Sequence, residues 1–227
     1  MPRPARRALL AETPATIHFI WRCHNRAFLL DTDEVKQFYL RLLAERKASH
    51  GVEIYGYAIM SNHFHAVLRI PARTSWQRFS REVNSRLAVN INRSRQRHGQ
   101  VVMDRPRTIV LERNEDVVAA LRYIDLNPVR AGLVRRARDY RWSSYKHHAL
   151  GHMDVVLDEC PAIAALGENG RQRRAAYVAL FGTVCSSLDL RRRPDLVDVH
   201  FVGSLVWQRA RRLSLLASAR ARGRPPS

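Results

Sequence analysis

Two runs rich in β-branched and aromatic residues, Val52–Met60 and His63–Ile70, are separated only by Ser61-Asn62. A two-residue connection cannot carry a crossover, so the runs must pair as an antiparallel hairpin. A lone hairpin is marginal in water and needs further strands or helices on its apolar face. Thr16–Cys23 (TIHFIWRC) has the same character and reads as another strand, followed by a loop at His24-Asn25-Arg26. Asp31 or Thr32 can cap a helix that runs to about Ser49, with Val35, Phe38, Tyr39, Leu42 and Leu43 on one face and Gly51 at its end. Pro71 stops the hairpin. Thr74 is placed to cap a second helix, with Trp76, Phe79, Val83, Leu87 and Ile91 as its buried stripe. Val101–Leu111 reads as a strand interrupted by Asp104-Arg105-Pro106-Arg107. Asn114 is placed to cap a third helix, Glu115 to about Leu126, which Pro128 closes. Gly170–Phe181 is expected to be the last packed helix. The order β-α-β-β-α-β-α predicts an α+β sandwich: one antiparallel sheet with helices on one side.

The chain has 227 residues with 39 Lys+Arg against 20 Asp+Glu, a formal net charge of +19. That balance calls for a polyanionic partner, nucleic acid before an anionic membrane surface. An apolar fraction of 46% argues against intrinsic disorder. Only Lys36, Lys47 and Lys146 are lysines, and arginine forks grip phosphate in pairs of hydrogen bonds. A GC-rich genome would produce the same bias without any function. Arg78, Arg81, Arg86, Arg93, Arg95 and Arg97 lie off the apolar stripe of the second helix, and Arg105 and Arg107 follow it. Of these, Arg78, Arg81, Arg86, Arg93, Arg95, Arg105 and Arg107 form the candidate nucleic-acid-contacting set. Trp76 and Phe79 could stack on bases, but their spacing suits the core better. Cys23, Cys160 and Cys185 form no CxxC pair, so neither a disulfide framework nor a zinc ribbon is supported; a reducing, cytoplasmic setting is expected. The apolar stretch after Arg3, Arg6 and Arg7 is broken by Glu12-Thr13-Pro14, and nowhere do enough apolar residues run together to span a membrane.

The residues with chemical potential fall in two places. His63 and His65 are two apart on a strand, so both imidazoles point to one face while Phe64 points to the other. Such a pair can hold a divalent cation, and it also occurs by chance. Tyr123 and Asn127 are one helical turn apart and share a helix face. Each alone also suits a bland role, Tyr123 as a core-edge aromatic and Asn127 as a helix-ending residue before proline. Together they suggest more: two histidines and an amide oxygen complete a three-ligand site with open positions, and a tyrosine beside it is a nucleophile for phosphodiesters. Other candidates are weaker. Tyr140 and Tyr145 flank Trp142, which reads as packing, and neither has an amide one turn on. His147, His148 and His152 read as a solvated polar loop. Asp125 points away from Tyr123 on a helix and is set aside, and Glu53 and Glu112 do not converge with it.

Met60-Ser-Asn-His-Phe-His-Ala-Val-Leu68, followed by Arg122-Tyr-Ile-Asp-Leu-Asn-Pro-Val-Arg-Ala-Gly-Leu-Val134 and Asp139-Tyr-Arg-Trp-Ser-Ser-Tyr145, resembles the single-tyrosine HUH transposases, IS200-like, and in particular the REP-associated tyrosine transposases. Arg22-Cys-His-Asn-Arg-Ala-Phe28, Tyr57-Ala-Ile-Met60 and Arg174-Ala-Ala-Tyr-Val-Ala-Leu-Phe181 extend the resemblance over roughly residues 14–182. It implies an HUH, ferredoxin-like or RRM-like sandwich at residues 10–150, a helical extension at 151–182 and a basic, partly disordered tail at 183–227. His63 and His65 match the HUH pair, Tyr123 the nucleophile and Asn127 the third metal-ligand position. The implied activity is a Mg²⁺- or Mn²⁺-dependent single-strand DNA endonuclease and strand transferase, acting on hairpin DNA through a 5′-phosphotyrosine, as a monomer or homodimer. One departure concerns DNA positioning: Val101–Thr108 lacks the tryptophan of the family segment and has Pro106 where an aromatic residue is expected.

Two rivals stand beside this reading. The first is a non-catalytic HUH descendant that binds repeat DNA without cutting, although all four site residues are intact. The second is an RNA-binding module of similar layout, for which Tyr55-Gly56-Tyr57 is the only echo of a sheet-face aromatic motif. For the tail, nine arginines against three aspartates predict a basic amphipathic helix at Leu196–Leu216 and disorder over the last ten residues.

Overall fold

The hairpin forms as its short loop requires. In the computed structural model, which describes residues 9–103, 106–182 and 190–220 (219 and 220 as backbone only), β2 (Glu53–Ile59) and β3 (His63–Ile70) pair antiparallel. The Met60 N–H donates to the His63 carbonyl at 2.8 Å and closes the turn. β1 (Ala15–Arg22) lies on the other side of β3, and β4 (Arg107–Leu111) lies outside β1, both antiparallel. The fifth strand, β5 (Phe201–Val202), comes from the C-terminal segment and runs parallel to β4. The order is β2-β3-β1-β4-β5, so the sheet is mixed rather than purely antiparallel. The expected Val101–Leu111 strand is shorter: Val102 makes only an isolated bridge to Cys23 before β4 begins at Arg107.

Helix α1 (Asp33–Lys47) starts where Thr32 Oγ1 accepts from the Val35 N–H at 3.4 Å, and Gly51 follows it at φ +61°, a left-handed conformation that suits glycine. Helix α2 (Arg73–Ser94) begins before Thr74, which therefore does not cap it; the capping position is Ala72, with no side-chain bond. Helix α3 (Asn114–Asp125) takes Asn114 as its first turn rather than its cap, and the Asp116 carboxylate accepts from the Arg113 N–H at 3.0 Å instead. Pro128 does not end the helical path. Leu126 keeps right-handed helical angles, and Pro128 sits in the first turn of α4 (Asn127–Arg130), where no backbone donor is needed. The chain continues through α5 (Tyr145–Leu150), α6 (Pro161–Ala164), α7 (Gly170–Ala179), α8 (Pro194–Val197) and α9 (Leu205–Arg220).

Helices cover both faces of the sheet, not one. Ile17, Phe19 and Trp21 of β1 and Phe64, Ala66 and Leu68 of β3 pack with Tyr39, Leu42, Trp76 and Phe79 of α1 and α2. Ile20 and Val67, on the opposite face, pack with Leu121, Tyr123 and Ile124 of α3, and with Tyr145, Tyr177 and Phe181 beyond it. Double coverage explains why burial runs almost unbroken along β1 and β3 even though one face of each carries histidines. Trp76 and Phe79 are therefore core residues. His148 is buried on α5, and its Nε2 donates to the Tyr55 carbonyl at 2.8 Å, so the polar-loop reading of the 147–152 histidines does not hold for it.

The described part of the segment expected as a basic, partly disordered tail packs on the body. Leu196, Val197 and Phe201 are buried, and the helix expected from Leu196 begins only at Leu205. Arg211 of α9 is 5% exposed, pairs with Glu12 and donates to the Leu9 carbonyl at 3.1 Å, which ties the C-terminal helix to the N-terminal segment. Of the stretch expected to be disordered, residues 221–227 lie outside the described residues. So does Arg105. No helix among the described residues is long and apolar enough to cross a membrane.

Candidate active site

The pairing register brings the histidines to one place. Arg22 is opposite His63, Ile20 opposite His65 and His18 opposite Val67, so His18, Ile20 and Arg22 share a face with His63, His65 and Val67. The rings of His63 and His65 are 5.1 Å apart, centre to centre. Helix α3 crosses this face and lays the Tyr123 ring 6.1 Å from both His65 and His18. The helical path through Leu126 keeps Asn127 beside Tyr123. Arg130 joins them: its guanidinium donates to Asn127 Oδ1 at 2.9 Å and stacks 4.2 Å from the centre of the Tyr123 ring. All four residues picked out from the sequence, His63, His65, Tyr123 and Asn127, thus lie along one strand-and-helix seam.

Burial sets the electrostatics. His65, Tyr123 and Asn127 are each under a tenth exposed. Desolvation lowers His63 to about 4, helped by the Arg22 charge, and it holds His65 well below the ordinary imidazole range. Both rings are therefore neutral at pH 7 and keep a lone pair for ligation. Tyr123 departs from the expectation that nearby arginines favour its phenolate. Burial raises its pKa above 10, and the opposing pull of Arg130, Arg192 and Arg22 does not overcome that.

The donor set suits a divalent cation. His63 Nδ1 lies 2.7 Å from Asn62 Oδ1 and His65 Nδ1 lies 3.0 Å from His18, which leaves Nε2 of each ring as the available ligand. Asn127 Oδ1 spends one lone pair on Arg130 and keeps another, while its Nδ2 is buried with no hydrogen-bond partner among the described residues. Among those residues no group of three or more His, Cys, Asp and Glu side chains is arranged to hold a metal, so an ion here would rest on two imidazoles and an amide.

The arginines divide into two groups. Arg78, Arg81, Arg86 and Arg93 are exposed along α2, with Arg86 near Glu82. Arg81 lines a groove of about 520 Å³ between α2 and residues 99–102 with Pro106, together with Gln77, Asn84, Gln100 and Val102. Val102 is bridged to Cys23, next to Arg22, so the groove reaches the strand end that carries the site. Arg95 pairs with Asp31 and donates to the Phe28 carbonyl at 3.2 Å. Arg107 donates to the Val197 carbonyl at 2.8 Å and shares Asp198 with Arg192. These last two hold the fold together as well as adding charge.

Sequence reasoning missed His18, Arg22, Arg130 and Arg192. A histidine within an otherwise apolar β-run was the available signal for His18. Arg192 had none, because its place depends on how the C-terminal segment docks. Tyr140 is buried and donates to the Ile59 carbonyl at 2.7 Å, away from the histidines.

Comparison with known proteins agrees with this fold. No curated protein matches the sequence. A solved structure, that of a REP-associated tyrosine transposase bound to a REP hairpin, has the same fold: TM-score 0.51 and 17% identity, covering 66% of this chain and 88% of that one. The family sequence model described as "Transposase IS200 like" matches residues 12–105, which contain His63 and His65 and end before Tyr123 and Asn127. Over that stretch the chain is similar to the IS200-like transposases, and over two thirds of its length it shares the fold of a REP-associated tyrosine transposase.

Proposed function

We propose that the protein is a metal-dependent endonuclease and strand transferase for single-stranded hairpin DNA, with Tyr123 as nucleophile and His63, His65 and Asn127 as cation ligands. The observation that carries this reading is the convergence of a neutral histidine pair and one tyrosine on a single face of the sheet, with His65 and Tyr123 6.1 Å apart. The hairpin preference is supported by the REP-associated relative, which was solved on such DNA. When bound, a divalent cation such as Mg²⁺ or Mn²⁺ supplies positive charge at a phosphoryl oxygen. The Tyr123 oxygen attacks the phosphorus, the bond to the 3′-oxygen breaks, and that oxygen leaves as a 3′-OH while the phosphate stays on Tyr123 as a 5′-phosphotyrosine. Arg130 steers the phenol and opposes the effect of burial on its proton. A free 3′-OH attacking the phosphotyrosine reverses the step and rejoins DNA, so bond energy is kept and no nucleotide cofactor is required. Arg78, Arg81, Arg86 and Arg93 would hold the phosphate backbone along α2.

The test is incubation with Mn²⁺ and a labelled single-stranded hairpin, followed by denaturing electrophoresis. A detergent-stable adduct on the peptide containing Tyr123, absent in Tyr123→Phe, supports the reading. DNA binding without any adduct favours the non-catalytic descendant instead, and an adduct on Tyr140 or Tyr145 refutes the assignment of the nucleophile.

A further inference from the structure

His18 lies on β1 and is fully buried, with both ring nitrogens engaged. Its Nδ1 is 3.2 Å from the Leu196 carbonyl oxygen, and its Nε2 is 3.0 Å from His65 Nδ1. A carbonyl oxygen can only accept, so His18 Nδ1 must carry the hydrogen. The ring is fully buried, and among the described residues no carboxylate is hydrogen-bonded to it; a buried imidazole without a counter-charge stays neutral and carries only that one hydrogen. Its Nε2 is then an acceptor, and His65 Nδ1 must be the donor. The lone pair of His65 is thereby placed on Nε2.

A separate chain of bonds reaches the same result at His63. Asn62 Nδ2 donates to the Arg26 carbonyl at 3.1 Å, which orients the amide so that Oδ1 faces His63 Nδ1 at 2.7 Å. His63 must donate there, and its Nε2 is also left as a lone pair. Two histidines, held by unrelated partners, thus offer the same atom on one face of the sheet. His18 cannot itself be a third ligand without giving up one of its two bonds.

We infer that His18 is a positioning residue: backed by the main-chain carbonyl of Leu196, it locks His65 in the Nδ1–H tautomer and so presents Nε2 to a divalent cation. This rests on the reading of His63 and His65 as cation ligands. It also gives the C-terminal segment a part in the site, because Leu196 belongs to α8 and reaches His18 only when that segment docks. An ordinary core histidine would satisfy its own hydrogen bonds without determining the tautomer of a ligand. Outer partners of this kind commonly change metal affinity by about 10- to 100-fold.

The experiment uses the full-length, metal-free protein labelled with ¹⁵N. Two-bond proton–nitrogen correlation spectra report directly which nitrogen of each ring is protonated. The expected result is Nδ1–H at His65, with His18→Leu moving His65 toward the Nε2–H form that free histidine prefers in water. Mn²⁺ titration by calorimetry should show about a 10- to 100-fold weaker affinity for His18→Leu. In His18→Gln an amide oxygen can accept where Nε2 did, so affinity should recover to within a few-fold of wild type. An Nε2–H tautomer at His65 in the wild-type protein, or wild-type Mn²⁺ affinity in a folded His18→Leu, overturns the inference. If Mn²⁺ binds the wild-type protein and His65→Ala equally, the cation-site reading itself fails. The tautomer spectrum of the wild-type protein needs no metal and no variant to fold, so the two failures remain distinguishable.

Discussion

Helix α3 carries Tyr123 on one side and the buried carboxyl of Asp125 on the other, and that carboxyl is what anchors the helix. Tyr177 of α7 donates to Asp125 Oδ2 at 2.7 Å, and Ser144 donates to Oδ1 at 3.1 Å while accepting from the Tyr57 N–H of β2 at 3.2 Å. Burial raises the Asp125 pKa to about 7 against the pull of those two donors. Tyr177→Phe removes one donor and leaves a fully buried carboxyl oxygen without it. That should cost about 1–3 kcal/mol, the range for orphaning a buried polar group. A domain with the usual stability of about 5–15 kcal/mol remains folded. The consequence for the site should be larger than for the fold. With one tie cut, the end of α3 can shift relative to β3, and a misplacement of about 1 Å at a reacting group costs on the order of 10²-fold in rate. Urea unfolding followed by circular dichroism gives the first number, and the single-turnover rate of adduct formation on hairpin DNA gives the second. Tyr55→Phe is the control, since its hydroxyl bonds Glu53 within the same strand and anchors nothing to α3. Unchanged stability in Tyr177→Phe would refute the anchoring. Lowered stability with a wild-type rate would show that the tie holds the fold and not Tyr123.

Acid should reveal His148, which burial lowers to about 4 from an ordinary 6.5. Native His148 stays neutral while the unfolded chain takes up a proton, so its stabilisation is complete above pH 6.5 and is lost as pH falls toward 4, by up to about 3 kcal/mol. His148→Gln should therefore lose less stability than wild type between pH 7.5 and 4 in urea melts, and parallel acid limbs would contradict this. Arg211→Met removes the bond to the Leu9 carbonyl and the stack on Phe201 and Trp207, and should lower stability by about 1–3 kcal/mol while quickening proteolysis at both chain ends; an unchanged digest would count against that tie. Arg81→Ala in the α2 groove should reduce the slope of log binding constant against log salt by about 0.7 on single strands, and an unchanged slope would place DNA elsewhere.

What the sequence determined by itself was local. A two-residue loop can only make a hairpin, and a period of two puts His63 and His65 on one face wherever the strand lies. A helical turn likewise sets Tyr123 beside Asn127 before any packing is known. These relations need only backbone geometry, so four residues far apart in the chain were already legible as two pairs. Whether the second face of the sheet would be covered by α3 was decided by tertiary structure, because on that face β1 and β3 set Ile20 and Val67 among histidines and arginines, a pattern that fits a solvated face as well as a covered one. That ambiguity is why helices were expected on one side only. Asp125 was set aside because it points away from Tyr123, yet pointing away is how it reaches Ser144 and Tyr177 and holds the helix in place. The C-terminal segment was the least legible part. Its charge suggested a basic amphipathic helix with a disordered end, but β5 and Leu196 are positioned by partners more than 80 residues away, at β4 and His18. Hydrogen bonds and burial across such separations depend on how the whole chain closes, and no local pattern encodes them.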